Sequence, residues 1–252
     1  MKDKTTRLFY ILGSFFVANA ILAEFIGVKV FSLERTFGMV PLNLSILGYN
    51  DLSFNLSAGV LLWPVVFIMT DIINEYFGRR GVRFLSFTAA ALILYSFLMV
   101  FLATNLIPAD FWIQRNTPQG SINMHLAFNT VYGQGMWIIA GSLTAFLVGQ
   151  LVDVTVFHFF KERTGNPKVW LRATGSTLVS QLIDSFIVLI IAFYFGAGWD
   201  LGLVLAIGTV NYIYKFFIAV LFTPLLYLIH YFIDLYLGKE LAENLMIEAT
   251  NK

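Results

Sequence analysis

The stretch "GQLVDVTVF" at Gly149–Phe157 places a glutamine and an aspartate, Gln150 and Asp153, inside a long apolar run. An ionised side chain at bilayer depth costs at least about 2.5 to 3.5 kcal/mol on insertion scales. Such residues therefore usually face the interior of a helix bundle or a water-filled cavity. The stretch predicts a membrane helix with one polar face.

A second stretch, "SQLIDSFIV" at Ser180–Val188, repeats the pattern with Gln181 and Asp184. In each stretch the two polar residues are three positions apart, so they lie on the same face of an α-helix. The two helices are consecutive and would run antiparallel. Both polar pairs are therefore predicted to meet at a similar depth in the membrane.

The composition of the whole chain is typical of a membrane protein. It has 252 residues, of which 58% are hydrophobic and 12% are charged, whereas about a quarter are charged in soluble domains. We expect a single integral membrane domain over residues 1–252. The chain has no cysteine and only three isolated histidines, which excludes disulfides and thiolate chemistry and argues against a metal site. No cofactor is predicted.

The apolar runs predict an all-α, polytopic fold of about six membrane helices, because each run is long enough to cross a hydrocarbon core of about 30 Å. Two long outer loops separate them, the first expected to form a small hairpin or a re-entrant lid and the second to be irregular. The predicted spans are 8–28, 55–77, 84–105, 135–160, 174–197 and 201–237, with outer loops at 29–54 and 106–134.

Lysine and arginine lie mostly on one side of the predicted spans, which indicates that both termini are cytoplasmic. The opposite side holds only Lys29, Arg35 and Arg115. The first run also resembles a secretory signal, because small residues surround Asn19; an uncleaved span is favoured, since the apolar run continues to Val28. The basic residues on the cytoplasmic side are Lys2, Lys4, Arg7, Arg79, Arg80, Arg83, Lys161, Arg163, Lys168, Arg172, Lys239 and Lys252.

Polar residues recur in five of the six predicted spans and predict a shared central site. Asp71, Asp153 and Asp184 outnumber the one intramembrane lysine, Lys215, so a cationic or hydrogen-bond-donating ligand is expected, or a proton on one carboxylate. Either alternative points to transport. The polar residues in the spans are Asn19, Glu24, Asp71, Asn74, Glu75, Gln150, Asp153, Gln181, Asp184, Asn211 and Lys215.

A structural role is the alternative for several of these residues. Asn19, Asn74 and Gln150 could simply bond helices together, and Glu24 and Glu75 lie near span ends, where their side chains could reach the interface. Aromatic residues are mostly lipid-facing or core residues. A few near the polar faces, such as Phe67 or Tyr212, could stack on a flat heterocycle.

Four motifs together resemble the bacterial queuosine precursor transporter family, which is described as related to vitamin uptake transporters. The resemblance covers most of the chain, in the right order. The motifs are "FIMTDIINEYFGRRGVR" (67–83), "GQLVDVTVFHFFK" (149–161), "WLRATGSTLVSQLIDSF" (170–186) and "NYIYKFFIAVLFTPLLY" (211–227).

This resemblance implies a multi-pass protein of the bacterial inner membrane that imports 7-deazaguanines such as preQ0 and preQ1 for the salvage of a tRNA modification. It also implies an architecture like that of the substrate-binding subunits of energy-coupling-factor transporters. The matching motif positions are Asp71, Glu75, Gln150, Asp153, Arg172, Ser176, Gln181, Asp184, Asn211 and Lys215. Arg172 is more simply interpreted as an orientation anchor.

The chemistry of a deazaguanine suggests roles for these positions. Its ring NH and exocyclic amine lie side by side, and a carboxylate or a glutamine oxygen can accept both. We expect Asp184 and Gln181 to bind that edge, Asp153 and Gln150 to complete the pocket, and Lys215 to donate to the carbonyl or act as a counter-ion. Asn211, Asp71, Glu75 and Asn19 are further candidates for the substrate-binding site.

Two other functions remain open at the level of sequence. The chain could be a substrate-binding subunit for another vitamin-like heterocycle; since it has no ATP-binding motif, an ATPase module would then be a partner. It could also be an intramembrane aspartyl-type enzyme, although no catalytic motif accompanies the aspartates. The expected partners are a purine-like small molecule, the bilayer and either a second copy or an ATPase module, with no direct contact to nucleic acid.

Overall fold

The computed structural model describes residues 2–118, 120–133, 135–164 and 169–250. Within those residues, five helical runs are long and apolar enough to cross a membrane. The long helices are α1 (Lys2–Ile26), α3 (Trp63–Thr104), α6 (Met136–Thr164), α7 (Val169–Leu189), which continues as a π-helical segment (Ile190–Phe195), and α8 (Leu201–Leu237).

Short elements lie between the long helices and at the C-terminal end. The shorter helices are α2 (Leu33–Thr36), α4 (Asp110–Ile113), α5 (Met124–Tyr132) and α9 (Lys239–Thr250), with a 3-10 turn at Ala58–Leu61. The strands are β1 (Val30–Ser32), β2 (Leu44–Ile46), β3 (Tyr49–Leu52), β4 (Asn55–Ser57), β5 (Gln114–Thr117) and β6 (Gly120–Asn123).

Helix α3 reverses its direction at Gly78, where the backbone is not helical (φ 70°, ψ −172°). Thr70 Oγ1 lies 2.9 Å and Ser86 Oγ 3.4 Å from the same atom, Gln150 Oε1. A straight helix would separate residues 70 and 86 by about 24 Å. The run of 42 residues therefore consists of a first half (63–77) and a second half (79–104) that fold back on each other.

Helix α1 belongs to the core of this bundle. Leu8, Leu12, Phe16 and Ala20 repeat at a spacing of four, and all four are buried. A residue every four positions marks one helical face, and this face packs in the same core as residues of both halves of α3. Helix α1 is thus packed as a member of the bundle.

Two predictions for the regions between the spans need correction. The second span was expected to begin at Asn55, but Asn55–Ser57 is a strand paired with Val30–Ser32, and α3 begins at Trp63 with a proline in its first turn. The loop 106–134 was expected to be irregular, but it contains α4, the β5–β6 pair and α5. Asn123 caps α5 by accepting a hydrogen bond from the Leu126 amide at 3.0 Å, and Gly120 turns the strand pair with φ 126°.

The first outer region contains a β2–β3 hairpin that is attached to the start of α8. Ile46 pairs with Tyr49 across the hairpin, and the Tyr49 hydroxyl donates a hydrogen bond to Asp200. Asp200 is also the N-cap of α8 and accepts from the Leu203 amide at 3.1 Å. Mainly the hydrogen bond from the Tyr49 hydroxyl, and to a lesser extent the one from the Leu203 amide, lower the pKa of the Asp200 carboxyl below its usual value. The hairpin and α8 are thus connected through one carboxylate.

A buried ionic cluster joins α3, α6 and α7. Arg172 donates to both oxygens of Glu75, at 3.0 Å from Nε and 2.7 Å from Nη2, and Lys161 Nζ lies 3.4 Å from the same carboxylate. All three side chains are about 1% exposed or less. The expectations that Glu75 reaches the interface and that Arg172 is an orientation anchor were wrong, because each of them finds an opposite charge inside the bundle.

Helix α9 packs against the turn of α3. Lys161 Nζ lies 3.4 Å from the Met246 carbonyl oxygen, and a Cβ at position 78 would lie 2.8 Å from the Ala249 carbonyl oxygen. The turn therefore needs glycine for two reasons, its backbone conformation and its close neighbour.

We expect Gly78→Ala to lower the melting temperature of the purified protein by several degrees. A side chain in this backbone region costs about 1 to 3 kcal/mol, and the contact with Ala249 adds to this. Gly38→Ala is the matched control, since Gly38 also has a positive φ (72°) but has open space around it. If the two variants melted at the same temperature, the contact with α9 would have no effect on stability.

We expect Glu75→Gln to destabilise the protein strongly, because it leaves Arg172 and Lys161 buried without their counter-ion. Removing one partner of a buried pair costs about 3 to 5 kcal/mol. Glu162→Gln is the control, because it removes a pair with Arg79 (3.2 Å) that is largely exposed and is worth about 0 to 1 kcal/mol. Both variants are compared by their melting temperature and by the yield of monodisperse protein in detergent. If Glu75→Gln and Glu162→Gln lowered these quantities equally, the structural role of the cluster would be refuted.

Candidate functional site

A narrow cavity lies between the first half of α3, α7 and α8. Its free volume is about 40 Å³, room for about three water molecules. Aromatic residues from two helices form much of its wall. The cavity is lined by Val60, Trp63, Pro64, Phe67, Ile68, Asp71, Thr174, Thr177, Gln181, Tyr214, Lys215, Ile218, Ala219, Phe222, Thr223 and Leu226.

Three of the predicted site residues line this cavity. Asp71 Oδ2 accepts a hydrogen bond from Thr177 Oγ1 at 3.3 Å, while Asp71 Oδ1 has no partner among the described residues. Gln181 Oε1 also has no partner there. Lys215 Nζ donates to Asp184 Oδ2 and has two further N–H groups. Two residues of the cavity wall therefore carry a buried oxygen atom without a partner among the described residues, and a third, Lys215, is a cationic donor.

The predicted pair of Gln181 and Asp184 does not act as a unit. Gln181 lines the cavity, but Asp184 does not, and its carboxylate is engaged by Lys215. The ion pair connects α7 to α8 and is half-buried, with side-chain exposures of 20% and 15%. Asp184 is thus placed to orient Lys215, and the structure gives it no direct contact with the cavity.

The other predicted pair, Gln150 and Asp153, lies behind the cavity wall on α6 and does not line it. Gln150 Oε1 is contacted by the hydroxyls of Thr70 and Ser86. Asp153 Oδ1 accepts a hydrogen bond from Ser180 Oγ at 3.2 Å. These side chains connect α3, α6 and α7 in the buried region next to the cavity.

The remaining predicted residues are distributed elsewhere. Asn19 donates a hydrogen bond to the Phe15 carbonyl of its own helix at 2.8 Å. Asn211 is half-buried and does not line the cavity, and Glu75 belongs to the ionic cluster. In the described part of the chain, no three His, Cys, Asp or Glu side chains are grouped so that they could hold a metal ion.

Of the two aromatic residues predicted to stack on a flat heterocycle, Phe67 lines the cavity, whereas Tyr212 does not and its ring lies 6.5 Å from that of Phe216. Sequence reasoning missed Trp63, Tyr214 and Phe222. Helical spacing could have identified the first of these, because Trp63 and Phe67 lie on the same face of α3 as Asp71, in steps of four residues. On α8, positions 219, 222, 223 and 226 continue the face of Lys215 in the same way.

Comparison with known proteins identifies relatives of this chain. The family model described as "Putative vitamin uptake transporter" matches residues 57–229, more than half of the chain. A "Probable queuosine precursor transporter" of Bacillus subtilis is 29% identical over 76% of this chain and 79% of its own length. No solved structure matches the chain.

Two further relatives carry the same description. A "Probable queuosine precursor transporter" of Haemophilus influenzae is 26% identical over 81% of this chain and 83% of its own length. The "Queuosine precursor transporter" of Escherichia coli is 27% identical over 73% of this chain and 74% of its own length. The chain therefore belongs to the family described as putative vitamin uptake transporters, is similar to three bacterial queuosine precursor transporters, and is a multi-pass bacterial membrane protein.

Proposed function

We propose that this protein imports the 7-deazaguanine precursors of queuosine, preQ0 and preQ1, across the bacterial inner membrane, with the base held in the cavity between α3, α7 and α8. It would act as a transporter and not as an enzyme. The names of its relatives support the substrate class. The unpartnered polar atoms of Asp71 and Gln181 at the cavity wall support the cavity as the binding site.

The proposed topology has six spans, formed by α1, the two halves of α3, α6, α7 and α8, with both termini in the cytoplasm. The reversal at Gly78 supports it, because it brings Arg79, Arg80 and Arg83 to the same end of the bundle as α9 and Lys161. Basic residues favour the cytoplasmic side. Of the residues counted for this rule, Lys168 and Lys252 lie outside the described residues.

The observation that carries the substrate proposal is the pair of free acceptors at Asp71 and Gln181. A deazaguanine presents a ring NH and an exocyclic amine on one edge, and these two donors match the two acceptors. Its carbonyl oxygen would accept a hydrogen bond from Lys215. The rings of Trp63 and Phe67, whose centroids are 6.4 Å apart, would pack against the flat base.

Binding a bicyclic base requires the cavity to widen. Pockets for small molecules are about 300 to 1,000 Å³ in volume, far above the free volume of about 40 Å³. Of the helices that line the cavity, α8 is the best placed to move. Only 11% of the residues in its most apolar stretch are buried inside the protein, against 28 to 39% for the other candidate spans. In this proposal the narrow cavity is its closed form, and the Lys215 to Asp184 pair would guide the movement of α8 along α7.

The energy source and the assembly state distinguish this proposal from its alternative, a substrate-binding subunit for another vitamin-like heterocycle. Such a subunit would lose uptake when ATP is depleted and would purify with an ATPase. A transporter that works alone or as a homodimer would continue to equilibrate preQ0 in liposomes without ATP.

We expect Asp71→Asn to weaken preQ0 binding to the purified protein by at least about tenfold and Gln181→Leu by about twofold to tenfold. Each removes or weakens one acceptor for the base; a hydrogen bond to a charged group is worth about 1.5 to 3 kcal/mol and one between neutral groups about 0.5 to 1.5 kcal/mol. Tryptophan fluorescence measures the affinity, since Trp63 lines the cavity. In cells that make no precursor, the queuosine content of tRNA after feeding preQ0 or preQ1 should fall in parallel.

Asp51→Asn is the matched control, because Asp51 is an exposed carboxylate in β3 that does not line the cavity. It should bind preQ0 like the unmodified protein. Competition with guanine tests whether the 7-substituent is recognised. The proposal fails if neither preQ0 nor preQ1 binds saturably, or if both cavity variants bind as well as Asp51→Asn.

A further inference from the structure

A layer of buried polar side chains lies behind the cavity, between the first half of α3, α6 and α7. At its centre are two aspartates, Asp71 and Asp153, which we call the acidic pair; their side chains are 5% and 0% exposed. Thr177 contacts the first and Ser180 the second. Because residues 177 and 180 are one turn apart on α7, about 4.5 Å along its axis, the two carboxylates lie close enough for their charges to interact.

The layer leaves five buried polar atoms without a hydrogen-bond partner among the described residues. Two are carboxylate oxygens of the acidic pair, Asp71 Oδ1 and Asp153 Oδ2; the others are Gln150 Nε2 and both amide atoms of Asn74. A buried polar group without a partner costs about 1 to 3 kcal/mol. Asn74 is 0% exposed and follows Asp71 by three positions, so it lies on the same face of α3. Such a concentration of free groups is completed by an ion, by another bound species or by ordered water.

Charge shows which kind of ligand would complete the layer. Glu75 is shared by Arg172 and Lys161, so with every group ionised this cluster carries one positive charge in excess. The acidic pair carries two negative charges and forms no ion pair within the described ranges, although Arg172 and Glu75 act on Asp71 at longer range. The region is therefore one positive charge short of neutrality.

Charged groups on the neighbouring elements do not supply it. On α7, Asp184 is neutralised by Lys215 of α8. Also on α8, His230 lies 3.1 Å from the Tyr76 hydroxyl, and that hydroxyl donates to Asp234 at 2.6 Å, which places His230 beyond the ionic cluster toward α9. On α6, the buried His158 lies among the cations Arg79, Lys161 and Arg83. Among the described residues, no positive charge is therefore paired with the acidic pair.

We propose that the acidic pair binds one monovalent cation, a proton or Na⁺, and that its binding is linked to that of the substrate through Asp71. The linkage rests on the proposed function, because Asp71 is both a member of the acidic pair and a wall residue of the cavity. Oxygen atoms of two carboxylates, two hydroxyls and the Asn74 amide suit a hard cation. Carboxylates inside a membrane protein commonly mark such ion or proton pathways.

The cation site is tested without substrate by the melting temperature of the purified protein. The protein is heated in NaCl, KCl or choline chloride at equal ionic strength and at a series of pH values. A Na⁺ site predicts a rise of roughly 5 to 10 °C in NaCl at a concentration a hundredfold above Kd, absent in KCl and choline chloride. A proton site predicts no preference among salts and a melting temperature that falls as pH rises.

Asp153→Asn is the informative variant, because it removes one charge of the acidic pair without changing its shape or the cavity lining. It should abolish the Na⁺ or pH dependence and should melt above the unmodified protein at high pH in choline chloride. A merely structural aspartate would instead give a variant that melts lower under all conditions. Asp51→Asn is again the control and should retain the full dependence.

The linkage is tested by preQ0 uptake into liposomes under an imposed Na⁺ or pH gradient. We expect Asp153→Asn to bind preQ0 within about threefold of the unmodified affinity but to equilibrate it without accumulation. If the protein does not bind preQ0 at all, the proposed function fails, while the melting experiment still tests the cation site. The cation proposal is overturned if Asp153→Asn keeps the same dependence on Na⁺ and pH as the unmodified protein.

Discussion

The carboxylate of Glu75, held between Arg172 and Lys161, is the interaction on which the rest of the structure depends. It fixes the end of the first half of α3 against α6 and α7 with directional, charge-assisted bonds. Apolar packing alone gives membrane helices little preference for one register over another, since lipid is as apolar as the helix surface. The cluster therefore determines the depth at which the polar faces of three helices meet.

The polar interior is divided into regions of different chemical character. Next to the neutralising cluster lie the acidic pair and its hydroxyl partners, and beyond them the cavity with its aromatic wall. Asp71 belongs to two of these regions, because one of its oxygens contacts Thr177 and the other is free. A change in the charge of the acidic pair therefore alters the electrostatic field inside the cavity without any movement of the backbone.

Spacing along the sequence predicted which side chains share a helical face, and much of the fold follows from it. The apolar runs predicted α8 at the bounds observed, and the recurring glutamine and aspartate predicted buried polar faces. Spacing does not specify the neighbouring helix, so Lys215 was predicted as a possible counter-ion without its partner Asp184 being identified, and the burial of Arg172 was not foreseen. Hydropathy treats a charge near the end of a run as exposed, because it contains no information about a partner distant in sequence, and this explains the error for Glu75.

The contact between Tyr49 and Asp200 has a consequence for how the molecule can be controlled from one end. Asp200 is the N-cap of α8, and later turns of the same helix carry Lys215, Tyr214 and Phe222 of the cavity wall. The β2–β3 hairpin and the cavity are therefore connected through one helix. An antibody fragment that clamps the hairpin against α8 would hold the cavity in its narrow form without entering the membrane. Through the hairpin, a water-soluble reagent would in this way favour one conformation of the proposed binding site between the membrane helices.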